Sequence, residues 1–96
     1  MNTEMQYFET DDLPFAAFLK TTGKLRFYRC ESRAGNRIAF LFHEDETGKG
    51  DQLNEEFLSG AEVPAASFYE AIRTLRRLMS TKQTNRSNHE YHESHR

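Results

Sequence analysis

Leu25-Arg26-Phe27-Tyr28-Arg29-Cys30-Glu31-Ser32-Arg33-Ala34-Gly35-Asn36-Arg37-Ile38-Ala39-Phe40-Leu41-Phe42-His43 is the stretch on which the fold turns. Leu25 to Ser32 and Arg37 to His43 have the length and composition of strands. Arg33-Ala34-Gly35-Asn36 between them has turn chemistry at Gly35-Asn36, so the spacing predicts an antiparallel hairpin. In the second strand Ile38, Phe40 and Phe42 share one face and Ala39, Leu41 and His43 the other, and neither face is cleanly polar. In the first strand strict alternation sets Leu25 and Phe27 with Arg29, and Arg26 with Tyr28 and Cys30. The hairpin is expected to bury one side and to show a mixed basic and aromatic side.

Working outward, Met5 to Glu9 reads as a short strand carrying Tyr7 and Phe8. Asp11 or Asp12 can cap a helix that Pro14 enters at its first turn, where a missing amide donor costs nothing. That helix is expected to run to about Thr21 and stop at Gly23. Leu13, Ala16 and Ala17 form one apolar stripe and Phe15, Phe18 and Leu19 an adjacent one, the pattern of a helix sandwiched between layers. Downstream, Glu44 to Gly50 is a charged loop, and Asp51 to Ser59 is a short helix ended by Gly60. Val63-Pro64 opens a helix to about Met79, with Phe68, Ala71, Ile72, Leu75 and Leu78 at helical spacing and Tyr69, Arg73, Arg76 and Arg77 on the other side. From Thr81 the apolar period is lost.

The elements assemble most simply as one α+β domain over residues 1–80: a three-stranded antiparallel sheet with two or three helices on one face, in the order β-α-β-β-α-α. Residues 81–96 are expected to form a flexible, disordered tail rich in His and Glu. Eight phenylalanines among 96 residues supply an aromatic core, but so small a domain has no room for a deep substrate cavity as well. The one cysteine, Cys30, excludes an internal disulfide and a cysteine-based zinc or redox motif, and fits a reducing compartment. The longest apolar run, Ile38 to Phe42, is far short of a membrane span, and Met1-Asn2-Thr3-Glu4 lacks the features of a secretion signal. A cytoplasmic protein with no membrane association is expected.

The pattern Tyr7-Phe8-Glu9-Thr10-Asp11-Asp12-Leu13, then Ala16-Ala17 and Leu19, the hairpin, Phe57-Leu58-Ser59-Gly60, and Val63-Pro64 leading to Phe68 resembles a family of small prokaryotic domains of unknown function. It covers about residues 6–80. The resemblance implies the same fold boundaries and brings no catalytic residue, cofactor or substrate with it.

Charge is sorted along the chain beneath a net charge of only −2. Lys24, Arg26, Arg29, Arg33 and Arg37 face a single acid, Glu31, across the hairpin, whereas Glu44 to Glu62 holds seven acids against Lys49. Segregation of this kind bears on partners and self-association rather than on chemistry. Arg26, Tyr28, Arg29, Arg33 and Arg37, with Arg73, Arg76 and Arg77 of the last helix, form the candidate binding surface. Arginine with interleaved rings is the residue set that grips phosphate and stacks on bases. Against nucleic acid stand a pI near 6.1 and the acidic block in the same small body. Pairing of the basic hairpin with Glu44 to Glu62, within or between chains, accounts for the same charges.

His43 beside Glu44-Asp45-Glu46 has the types of an acid–base pair, yet nothing near it in sequence supplies a nucleophile, and it reads as a strand-end histidine next to a solvated loop. That loop lacks the spacing of a calcium site. Cys30 reads as a small buried hydrophobe. His89, His92 and His95 are metal-capable but lie beyond the domain and lack the zinc-protease spacing, so the tail reads as solvated. The sequence points to a non-enzymatic binding or assembly module acting through protein contacts, in homodimeric form, with no catalytic residue, cofactor, metal or small-molecule substrate. The alternative is a nucleic-acid-binding accessory protein using residues 24–37 and the arginines of the last helix.

Overall fold

The structure, a computed structural model, describes the chain from residue 6 to residue 94, with side chains as far as Lys82. Met5, placed in the first strand by its sequence, and the side chains of His89, His92 and His95 lie outside the described residues. The elements are β1 (Tyr7–Thr10), α1 (Leu13–Thr22), β2 (Arg26–Arg33), a 3-10 turn (Ala34–Asn36), β3 (Arg37–His43), α2 (Lys49–Leu58) and α3 (Ala65–Ser94). The three strands form one antiparallel sheet in the order β1-β3-β2. This is the α+β architecture and element order that the sequence leads to.

β3 is the central strand, which explains why its sequence is apolar on both faces: Ile38 to Phe42 are all buried. Its turn from β2 holds Gly35 at φ 74° and Asn36 at φ 63°, left-handed conformations suited to these two residue types. α1 begins where Asp12 Oδ1 accepts a hydrogen bond from the Phe15 amide (3.0 Å), and ends where the Gly23 amide donates to Leu19 O (2.9 Å). Phe15, Ala16, Ala17, Phe18 and Leu19 are buried in succession, as the double apolar stripe requires, because α1 is enclosed by the sheet, α2 and α3. Phe15, Phe18, Leu19, Phe40, Phe42 and Leu75 are the largest fully buried side chains.

α2 starts at Lys49, ahead of the expected Asp51, and its first residues are not capped by their own neighbour. Glu44 performs that role from the preceding loop: its Oε2 accepts a hydrogen bond from the Gly50 amide at 2.8 Å, satisfying a free donor and placing negative charge at the positive end of the helix. Glu44→Ala is therefore expected to cost about 1 kcal/mol, the usual value of a lost N-terminal cap, with Glu44→Gln recovering much of it. Urea denaturation of the two variants checks this; equal midpoints for Glu44→Ala and the parent would mean that the contact contributes nothing.

α3 follows Pro64, with the Phe68 amide donating to Pro64 O at 3.0 Å. Ala71 and Leu75 are buried, and Phe68, Ile72, Leu78 and Met79 pack partly buried against the core. The helix does not end near Met79 as its apolar period suggests. Helical backbone continues to Ser94 through residues read as a tail, because no glycine or proline interrupts the chain after Pro64. Loss of the apolar period marks the end of the packed part of the helix rather than the end of the helix.

Candidate binding surface on the outward face of the sheet

The helices cover the sheet face that carries Phe8, Phe27, Cys30, Phe40 and Phe42. The opposite face looks outward, and its composition is set by a bulge. Phe27 pairs with Phe42, but it is Arg29 that pairs with Leu41, leaving Tyr28 as the extra residue. The slip corrects the alternation read from sequence. Arg29 leaves the face of Phe27 and joins Arg26 and Tyr28 outside, while Cys30 turns inward opposite Phe40. Cys30 is 4% exposed, and burial pushes its thiol pKa up, as for a small core residue.

One end of the outward face is an ion-pair lattice. Arg33 clamps Glu9 through Nη2 (2.7 Å to Oε1) and Nε (3.1 Å to Oε2), and reaches Glu31 Oε1 through Nη1 (2.7 Å). Arg29 Nε donates to the other oxygen of Glu31 at 2.6 Å, and its Nη2 pairs with the same oxygen. Arg37 Nε stands 3.8 Å from Asp11 Oδ2. Within the chain, Arg29, Arg33 and Arg37 thus pair with Glu31, Glu9 and Asp11 rather than with the acidic segment Glu44 to Glu62. The cause is register: Glu9 and Arg29 flank Leu41 from the two edge strands, and Glu31 and Arg33 follow on the same strand. Leu41 and Ala39 face outward yet are only 8% and 2% exposed, because the stems and paired heads of these residues close over them.

The Arg33 guanidinium holds the carboxyls of Glu9 and Glu31 below the ordinary range by hydrogen bonding, and Arg29 adds to the effect at Glu31. A depressed folded-state pKa stabilises the fold above the unfolded value, and that stability is lost as the pH falls through the folded value. Arg33→Met keeps the stem over Leu41 and deletes the charge. It is expected to flatten the acid side of the urea-midpoint profile between about pH 7 and pH 3. An unchanged slope would mean that the lattice is too solvent-screened to matter.

The other end of the face is aromatic. Tyr7 and Tyr28 stack with centroids 4.9 Å apart, and His43 lies 5.3 Å from the first ring and 5.0 Å from the second. The Arg29 guanidinium covers Tyr28 at 4.7 Å. The tyrosines remain 42% and 37% exposed, while His43 Nδ1 is buried with no hydrogen-bond partner among the described residues. Tyr7 and His43 were not singled out for this surface from the sequence, although a first strand running antiparallel to β3 sets Tyr7 opposite His43. Next to the rings is a cleft of about 300 Å³ lined by Gly23, Lys24, Leu25, Arg26, His43 and Asp45. Lys24 Nζ bridges from this end to Glu56 Oε1 on α2 at 3.6 Å, where the basic hairpin does meet the acidic segment.

Arg26, Tyr28, Arg29, Arg33 and Arg37 are thus brought together on or at the margin of one face. Arg73, Arg76 and Arg77 are not. They occupy the exposed side of α3, which packs on α1 and on the covered face of the sheet, and Arg73 is 3.6 Å from Glu70 with its guanidinium over Tyr69. Among the described residues no three His, Cys, Asp or Glu side chains are grouped to hold a metal ion, and no helix is long and apolar enough to cross a membrane. No family model, curated protein or solved structure matches the chain.

Proposed function

We propose that this chain is a non-enzymatic binding or assembly module that works through protein contacts, as a homodimer, with the aromatic end of the outward face in the contact. One observation carries the ranking over nucleic acid. Arg29 and Arg33 are held by Glu9 and Glu31, and Arg37 stands near Asp11, so the cations that would neutralise phosphate are already matched with carboxylates. What the face offers instead is a pair of half-exposed tyrosines beside the exposed Arg26, the residue types that dominate protein–protein hot spots.

Sedimentation equilibrium of the full chain, run alongside a titration with mixed-sequence single-stranded DNA and RNA, tests the reading. The expected result is a mass that rises from 11.3 kDa toward twice that value with concentration. Nucleic-acid binding is expected to stay at the non-specific level, a Kd of about 10⁻⁴ M or weaker at physiological salt. A monomer that binds single strands at submicromolar Kd with a steep salt dependence would replace this reading by the nucleic-acid one.

A further inference from the structure

The Lys24–Glu56 contact joins two depressions of unlike charge balance. On the Lys24 side is the cleft bordered by Arg26, His43 and a single acid, Asp45, adjoining Tyr7 and Tyr28. On the Glu56 side a groove of about 560 Å³ runs along the end of α2, lined by Gln52, Glu55, Glu56, Ser59, Gly60 and Ala61. Leu58, outside the lining of the groove but one turn from Glu55 on α2, is 73% exposed, the most exposed of the large hydrophobic residues described. One half of this surface therefore carries two cations against one acid beside exposed rings, and the other is acidic with an uncovered aliphatic side chain next to Glu55. The outward face between its two ends needs no cover, since its own ion pairs already close over Leu41 and Ala39.

We propose that the seam at Lys24 and Glu56 is the centre of a two-fold homodimer interface, in which the Arg26 and Tyr28 half of each copy meets the Glu55 and Leu58 half of the other. This deepens, and rests on, the reading of the chain as a self-associating module. A two-fold axis through a boundary between unlike halves carries each half onto its complement, so one patch supplies both sides of the contact. It sets the cations against carboxylates and the exposed rings against the exposed leucine. The same charges repel a copy docked in any register that aligns like halves, which gives the contact its specificity.

Two double variants test the proposal: Lys24→Glu with Arg26→Glu, and Glu55→Lys with Glu56→Lys. All four positions are solvent-facing, and circular dichroism with thermal melting verifies the fold of each variant. Alone, each variant presents like charge in both halves, and its dimer dissociation constant is expected to rise roughly tenfold or more, since each 1.4 kcal/mol lost is a factor of ten. Mixed in equal amounts, the predominantly acidic and predominantly basic surfaces are expected to restore association as a heterodimer, seen by native mass spectrometry. Leu58→Ser, which alters no charge, is expected to weaken the parental dimer while leaving the melting temperature unchanged at concentrations where both proteins are monomeric.

A parent that dimerises while both double variants dimerise equally well would overturn the seam and leave the module reading standing. Folded variants that are monomeric alone and in mixture would overturn the complementarity of the halves. A parent that stays monomeric at every concentration reached would overturn the homodimer itself.

Discussion

Phe40→Ala is expected to cost roughly 3 to 5 kcal/mol, the usual cost of deleting a fully buried ring and leaving part of its cavity empty. Phe40 has no exposed surface and sits in the central strand between Thr10 of β1 and Cys30 of β2, on the face that belongs to the same core as Phe15, Phe18 and Leu75 of the helices, so its backbone is fixed on both sides and its ring is part of the shared core. Small domains start from the low end of a 5–15 kcal/mol range, and a loss of this size leaves the variant with only about 0 to 2 kcal/mol, at the edge of unfolding at room temperature. Phe40→Leu retains most of the volume and is expected to lose about 1.5 kcal/mol or less. Urea denaturation of both variants gives the comparison. A Phe40→Ala loss below about 1 kcal/mol would mean that the ring is not the keystone of the core.

The parts of the fold that were legible in the sequence are those written in local pattern. Asp12 before Pro14, Gly23 after Thr22, and Gly35-Asn36 between two apolar runs set the ends of α1 and the turn of the hairpin without help from the rest of the chain. Local pattern fails where one chain segment decides the geometry of another. The bulge at Tyr28 has no glycine or proline to announce it, and strict alternation through Phe27-Tyr28-Arg29 puts Arg29 on the wrong face. Glu44 reads as one more acid in a solvated loop until the loop's return brings it to the start of α2. α3 outlasts its apolar stripe because packing and helix formation are separate requirements, and only the first is visible as a period.

The candidate surface divides in the same way. Its arginines were legible as a cluster, since a hairpin must bring Arg26, Arg29, Arg33 and Arg37 within reach of one another. Their use was not, because Glu9 lies 24 positions before Arg33 and meets it only through the shared neighbour β3. What reads as an open basic patch is in the folded chain a closed lattice, and the exposed character of the surface shifts to Tyr7, Tyr28 and Arg26. The proposed preference for protein contact over phosphate rests on this, since an arginine already holding a carboxylate must surrender it before gripping anything else.

Gly50→Ala is expected to destabilise the protein by about 2 to 3 kcal/mol, the upper part of the range for overpacking, although alanine is the better helix former. A Cβ at Gly50 would stand 2.2 Å from Phe8 Cδ1 and 2.5 Å from Cε1 and Cγ, inside any tolerable contact. Cγ is the ring's root rather than its tip, so a small rotation does not clear the clash, and the ring must leave its place over α2 or the helix must move. Either movement disturbs the Phe8 edge against Phe15 and the Glu44 contact to the Gly50 amide. Gly50 does not occupy the left-handed region, so its role here is space and not backbone freedom. The opposing terms make the prediction directional. In a Phe8→Ala background the clash is gone and the helix preference alone remains, so adding Gly50→Ala there is expected to stabilise by up to about 1 kcal/mol. A double-mutant cycle by urea denaturation measures both arms. If Gly50→Ala has the same effect with and without the Phe8 ring, the close approach of Phe8 to Gly50 does not hold β1 against α2.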